Sequence, residues 1–351
     1  MSIWNDRNLF AFYRLPHEDH YVELLQDYRE ALLLHSYEEL EGREGFVVAP
    51  FQVTPQTPIV LIEPDAVNAH CQYLDKPTDH ARVTGSDDDR TAYHDDFERF
   101  HQQLAERRLN KIVLARTVTM TTEERFGYAS DLFLRACQRY PRMFVALVAL
   151  PGDELWLTAT PEVLLRGSNG LFHTMALAGT MRLSGEQLAG EGEDMRWAPK
   201  DIEEQRYVAS YIADRLKALS IDYQEHGPRT VRAADLVHLR SDFEFRLPQE
   251  VPISQLLKTL HPTPAVCGLP KAEALSFILQ HEHAPRAYYS GFMGPLNWNH
   301  ETSLFVTLRC MRIKGSSYTL YAGGGLLRES REEQEWQETE AKLVTMRRCL
   351  R

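Results

Sequence analysis

The stretch on which the fold turns is NKIVLARTV (110–118). Alternation puts Lys111, Val113, Ala115 and Thr117 on one face of a strand and Ile112, Leu114 and Arg116 on the other. Both faces are largely apolar, as in a strand inside a sheet. From Asn110 onward such segments dominate. KIVLARTVTM, MFVALVAL, ELWLTAT, VLLRG, LFHTMAL, SLFVTLRCMRI and YTLYAGG are each rich in β-branched or aromatic residues and bounded by turn formers. Helical patterns fall between them, at about 128–139, 201–219, 253–259, 270–281 and 329–348. There is no regular alternation of strand and helix. The pattern predicts an α+β fold with mainly antiparallel sheets rather than a doubly wound parallel sheet. No strand is followed by GxGxxG or a Walker motif, so nothing supports a dinucleotide or P-loop site.

Upstream, EGFVVAPFQ and PIVLIEP read as strands and DDFERFHQQLAERRL (95–109) as an amphipathic helix. The polar interval DKPTDHARVTGSDDDRTAYHDD (75–96) reads as a long loop. Its consecutive Asp87, Asp88 and Asp89 are either a solvated run or cation ligands.

The chain has 351 residues, 43% hydrophobic and 25% charged, which leaves one large or two small domains open. A formal net charge of −11 gives no electrostatic footprint for nucleic acid or an anionic membrane. An anionic ligand would need positive charge gathered in a pocket. No apolar run approaches the ~20 residues of a membrane span. The opening MSIWNDRNLFAFYRLPHEDH lacks a signal-peptide core, so a soluble cytoplasmic protein is expected. Five scattered cysteines with no CxxC argue against a disulfide framework or a structural zinc.

Several residues fit the bland reading poorly. Lys111 either snorkels from a strand end or is held in a pocket, where it becomes a candidate base. Arg309, in SLFVTLRCMRI, shares a strand face with Phe305, Thr307, Met311 and Ile313. A guanidinium there needs a carboxylate, from the chain or from a ligand. YAGGGLL (321–327) puts three glycines after a strand and before a helix, either a tight connection or an anion cradle. In PKDIEEQRYVASYIADRLKAL the apolar stripe runs through Ile202, Val208, Ile212, Leu216 and Leu219. Glu204 lies at its edge and Glu203 points away. In EWQETEAKL (335–343), Trp336 and Leu343 form an apolar seam, while Glu338 lies on the polar side with Arg331, Glu335 and Lys342. Glu338 and Lys342 are a solvated pair, or they face a ligand. Glu204 and Glu338 together could hold Mg²⁺. Glu162, in TATPEVLL, is a turn residue, or a general acid if desolvated. HEH (281–283) reads as structural or solvated.

KIVLAR, ATPEVLLR, ALAGTMR, PKDIEEQRYV, LVHLRSDF, LHPTPAVCGLPKAEA, YYSGFMG, FVTLRCMRI, YAGGGL and EWQETEAKL, in this order, resemble the chorismate-utilising enzymes. The resemblance covers roughly Asn110 to the C-terminus. It implies one large domain over 1–351, with a variable N-terminal part (1–95) and a catalytic core (96–351). It also implies two large antiparallel sheets packed together and surrounded by helices. By resemblance, Glu204 and Glu338 hold Mg²⁺, Lys342 lies near the ring carboxylate of chorismate, and Arg309 pairs with its enolpyruvyl carboxylate. The amides around Gly323 and Gly325, with Ala178 and Gly179, complete the anion cradle, and His238 matches an active-site histidine.

The family's water-using members carry lysine where ammonia-using members carry glutamine, and here the residue is Lys111. Isochorismate-forming members tend to read HPTPA where salicylate-forming members tend to end that segment in threonine, and here the residue is Ala265. The resemblance therefore implies Mg²⁺-dependent isochorismate formation, with Lys111 activating water and Glu162 protonating the leaving hydroxyl. Menaquinone or a catechol siderophore would be the destination, with menaquinone the commoner use. Salicylate formation and a non-catalytic dianion binder are the rival readings. Oligomeric state is not legible, and a monomer is compatible with the sequence.

Overall fold

A computed structural model describes residues 9–71, 83–87, 89–122, 129–183, 185–192 and 195–350. Within them the chain forms β1 (Leu9–Arg14), β2 (His20–Gln26), β3 (Leu32–Leu34), β4 (Gly45–Ala49), β5 (Ile59–Ile62), β6 (Ala66–Cys71) and β7 (Val83–Asp87). Helix α1 (Arg90–Ala105), β8 (Lys111–Thr122), α2 (Ala129–Arg139), β9 (Phe144–Leu150), β10 (Glu154–Thr160), β11 (Val163–Ser168) and β12 (Leu171–Arg182) follow. Next come α3 (Pro199–Ala218), β13 (Tyr223–Ala233), β14 (Leu236–Arg246), α4 (Ile253–Leu260), β15 (Gly268–Leu269) and α5 (Lys271–His281). The chain ends with β16 (Phe292–Leu296), β17 (Glu301–Val306), β18 (Cys310–Lys314), β19 (Ser317–Leu326) and α6 (Glu332–Arg347).

The strands form two sheets, and the pairings between them are antiparallel. One runs β15-β8-β19-β18-β10-β9-β1-β2-β6, with β7 also paired to β8. The other runs β13-β14-β12-β11-β17-β16-β4-β5-β3. The antiparallel α+β expectation therefore holds. Strands β1 to β6 extend the far edges of both sheets, so the N-terminal segment shares their layers.

Aromatic side chains from both sheets meet between them. Phe144 of β9 and Phe305 of β17 stack at 4.2 Å, with Tyr13, Phe46 and Trp156 in the same buried cluster. Each such ring contributes about 1.5–3 kcal/mol by leaving water. Helices cover the outer faces. Val208, Ile212 and Leu216 of α3 join α4 over the second sheet. Leu132 and Phe133 of α2, with Leu343 and Met346 of α6, cover the first. Phe97 and Phe100 of α1 and Ile278 of α5 pack against Ile112 and Leu114 of β8. No helix among the described residues is long and apolar enough to cross a membrane.

Three expectations need correction. SLFVTLRCMRI is not one strand. β17 lies in the second sheet and β18 in the first, and Thr307, Leu308 and Arg309 carry the chain across. The face assumed for Arg309 is therefore split: Phe305 packs between the sheets, while Met311 and Ile313 pack under α2 and α6. The interval 75–96 is not all loop, because β7 and the start of α1 fall within it. Asp89 caps α1, accepting from the Ala92 N–H at 2.8 Å. Residue 88 and the side chain of Asp87 lie outside the described residues. Ile202 is 45% exposed rather than part of the buried stripe.

Candidate active site

Two of the junctions at which the chain crosses between the sheets each deliver a functional side chain. Pro161 and Glu162 link β10 to β11, and Thr307 to Arg309 link β17 to β18. Both junctions open onto one pocket. Its walls include Glu162, Glu204, His238, Arg309 and Lys342, together with Ala178, Gly179, Ala265, Gly323 and Gly325. Lys111 and Glu338 stand just behind the wall, each bonded to a residue that lines it: Lys111 to Glu204, and Glu338 to Lys342. The structure thus brings the twelve expected residues to one place.

Arg309 sits at φ +46°, buried to 6% exposure, and burial pulls its guanidinium down to about 10. The sequence left its partner open between an internal carboxylate and a ligand. Among the described residues no carboxylate lies within 4.0 Å of it. It donates instead to Nε2 of His238 at 3.1 Å, with Thr345 Oγ1 at 3.5 Å. Because Nε2 accepts, Nδ1 must carry the ring proton, and it donates to the Gly179 carbonyl at 2.9 Å. Burial, and then Arg309, lower His238 to about 3, so the ring is neutral and acts as a rigid prop for the guanidinium.

Glu162 is buried to 3% exposure, and burial raises its carboxyl to about 8 against the opposing pull of Lys111, Lys342 and Arg309. A carboxyl in that state keeps its proton at neutral pH and can donate it. Lys111 is fully buried, with Nζ 3.0 Å from Glu204 Oε1 but not aligned as a hydrogen bond. A snorkelling ammonium would reach water, and this one does not. Above the pair, a Cβ on Gly325 would lie 2.0 Å from Glu204 Oε1 and 2.9 Å from Lys111 Cε. Only glycine leaves room for both side chains there.

The three glycines lie inside β19 opposite Ala115, Leu114 and Val113, not in a connection after a strand. They still expose backbone. β18 starts at Cys310, opposite Tyr321, so beyond Tyr321 that edge of β19 has no strand partner. The Gly323 carbonyl accepts from Lys342 Nζ at 2.8 Å, which turns the peptide groups of Gly323, and by alternation those of Gly325, to the open side. In the facing sheet, β12 shifts register between Ala178 and Met181. Gly179 there takes φ +71°, and a Cβ would crowd Asp201 and Trp197 at 3.1 and 3.3 Å. Such a bulge re-aims backbone at a site.

Lys342 Nζ lies 2.6 Å from Glu338 Oε1. This pair is not the solvated one of the bland reading, because its side chains are only 16% and 19% exposed. The apolar seam also needs correction. Leu343 is buried, but Trp336 is partly buried between the guanidiniums of Arg116 and Arg90, 3.6 and 4.3 Å from its ring. The "polar" Glu335 is among the most buried residues of α6, at 1% exposure.

Sequence reasoning missed the roles of Glu335, Lys200 and Asp201. Lys200 forms an ion pair with Glu335 and also feels Glu338 and Glu204. Burial, and then Glu338, raise Glu335 to about 7, and burial with Glu204 and Glu338 raises Asp201 to about 6. Glu335 Oε2 is buried without a hydrogen-bond partner. Excess negative charge, hard carboxylate oxygens and an unsatisfied acceptor suit a divalent cation such as Mg²⁺. Spacing held the signal: Lys200 is four residues before Glu204, and Glu335 three before Glu338, so each pair shares a helix face.

Residues 54–351 match the family described as "Chorismate binding enzyme". The chain belongs to this family. Among curated relatives, isochorismate synthase MenF of Escherichia coli (strain K12) is 31% identical over 269 residues, 75% of this chain and 61% of that protein. The salicylate biosynthesis isochorismate synthase of Pseudomonas aeruginosa is 33% identical over 256 residues, 69% of this chain and 51% of that protein. The chain thus spans about half to three-fifths of the length of these relatives. Family folds agree as well. The solved MenF structure from Escherichia coli has a TM-score of 0.82 at 24% identity, covering 98% of this chain and 89% of that one. A putative 2,3-dihydroxybenzoate-specific isochorismate synthase, DhbC from Bacillus anthracis, gives 0.83 at 23%, covering 99% and 97%.

Proposed function

We propose that the chain is an isochorismate synthase, a Mg²⁺-dependent isomerase that converts chorismate to isochorismate. The observation that carries this reading is Glu162, a buried carboxyl still protonated at neutral pH, with Lys111 the leading charge acting on it. An acid and a base so placed suit addition of water at one ring carbon and loss of hydroxyl at another.

Arg309, propped by His238, binds the enolpyruvyl carboxylate, and Lys342 with the open amides of β19 faces the ring carboxylate. Glu204 and Glu338 would hold Mg²⁺, with Glu335 and Asp201 close by. The bound ion supplies positive charge for the ring carboxylate as the allylic system reacts. Lys111 takes a proton from the water attacking C2. Glu162 gives its proton to the C4 hydroxyl, which leaves as water. One water enters and one departs, so the sum is an isomerisation. Ala265 on the pocket wall is the residue type expected of isochorismate formers. The chain would act in the cytoplasm, and its product would serve menaquinone or a catechol siderophore.

Chromatography of the products from chorismate with Mg²⁺ tests the reading. Isochorismate as the product, lost in EDTA, supports it. Salicylate with pyruvate would move the assignment to the salicylate branch. No turnover would leave a dianion-binding relative, and equal activity in EDTA would remove the metal.

A further inference from the structure

Lys200 has no part in that chemistry, yet it stands in the middle of the acids. It opens the first turn of α3, four residues before Glu204, so the helix that offers one candidate metal ligand also offers an ammonium on the same face. Its Nζ reaches across to α6 and pairs with Glu335, and it lies within electrostatic range of Glu338 and Glu204. The acids are spread around this ammonium rather than closed on a point. Among the described residues, the trio of His, Cys, Asp or Glu with ligand atoms within 4.8 Å of one another is the exposed Glu18, Asp19 and His20, not any set from the pocket.

We propose that Lys200 is the built-in counter-ion of the cation site: it neutralises Glu335 in the metal-free chain and withdraws when a divalent cation enters. This rests on the metal reading above. The two partners are unequal in a way that favours exchange. The Lys200 side chain is 25% exposed and ends a flexible stem, so its ammonium can swing to water. The Glu335 side chain is 1% exposed, and its second oxygen already lacks a partner. It cannot follow to solvent, so in its ionised form it must be matched by a cation from one source or the other. Lys200 and an incoming ion carry like charge and compete for the same acids.

The test measures Mn²⁺ binding by electron paramagnetic resonance on the full chain, with Mn²⁺ as the probe in place of Mg²⁺. Lys200→Met keeps the stem and removes the charge. It should bind Mn²⁺ at least about tenfold more tightly than wild type, because one opposing charge is gone. Its melting temperature in EDTA should fall below that of wild type, and Mg²⁺ should raise it by more than it raises wild type. Lys200→Arg keeps the charge and should bind Mn²⁺ no more tightly than wild type, and it serves as the second variant if Lys200→Met does not fold. Unchanged or weaker Mn²⁺ binding by Lys200→Met overturns the proposal, since Lys200 would then be neutral or would support the ligands. Tighter binding by Lys200→Arg overturns it as well. Glu338→Gln separates this from failure of the metal reading. If wild type binds no Mn²⁺, or Glu338→Gln binds it as well as wild type does, the cation site itself is wrong.

Discussion

Replacing Glu162 by glutamine should remove activity and stabilise the protein at alkaline pH. In the native chain burial holds this carboxyl at about 8, against an ordinary value of 4.5. Between those values the unfolded chain has released a proton that the native chain keeps. Stability therefore falls as pH rises across that window, by ~1.4 kcal/mol per pH unit, and levels off above it. Over the full window the wild type loses ~5 kcal/mol through this one group. Glutamine fills the same space and does not ionise. The difference in unfolding free energy between Glu162→Gln and wild type should thus grow in favour of the variant by ~4 kcal/mol from about pH 5 to about pH 8.5. Urea unfolding of both proteins in EDTA, across that range, measures it. Any fixed cost of the new amide shifts both ends equally and drops out of the comparison. Parallel stability curves, or a gap that narrows as pH rises, would refute the claim that Glu162 is protonated in the folded protein, and with it the proton donor.

Lys111→Ala should lower isochorismate formation by ~10²–10⁴-fold while circular dichroism reports an intact fold, as expected for loss of a general base; retained turnover would take Lys111 out of that role. Arg309→Met removes a buried cation that, among the described residues, has no carboxylate within 4.0 Å, so the ligand-free protein should melt higher, while kcat/KM falls by roughly a hundredfold or more. A lower melting point would point instead to an internal partner. Gly325→Ala puts a methyl 2.0 Å from Glu204 Oε1. It should cost about 1–3 kcal/mol in denaturant unfolding and weaken Mn²⁺ binding as Glu204 is pushed aside.

Much of this protein was legible in the sequence. Strand periodicity with no regular alternation of helices fixes an antiparallel α+β fold, because side-chain alternation along a strand is local and survives in the residue order. The edge position of Glu204 on its stripe and the dry setting of KIVLAR were readable for the same reason. A set of ordered motifs was enough to name the family. Other features depend on which surfaces meet. Alternation continues unbroken through SLFVTLRCMRI and does not reveal that the chain leaves one sheet at Val306 and enters the other at Cys310. Only that crossing gives Arg309 its positive φ and its place on the pocket wall. Likewise a helix pattern calls Glu335 wet because it sits among charges. It is dry because α3 brings Lys200 over it from 135 residues away. Burial and charge pairing are set by contacts distant in sequence, and those decided which of the chain's many ionisable groups face one another in the pocket.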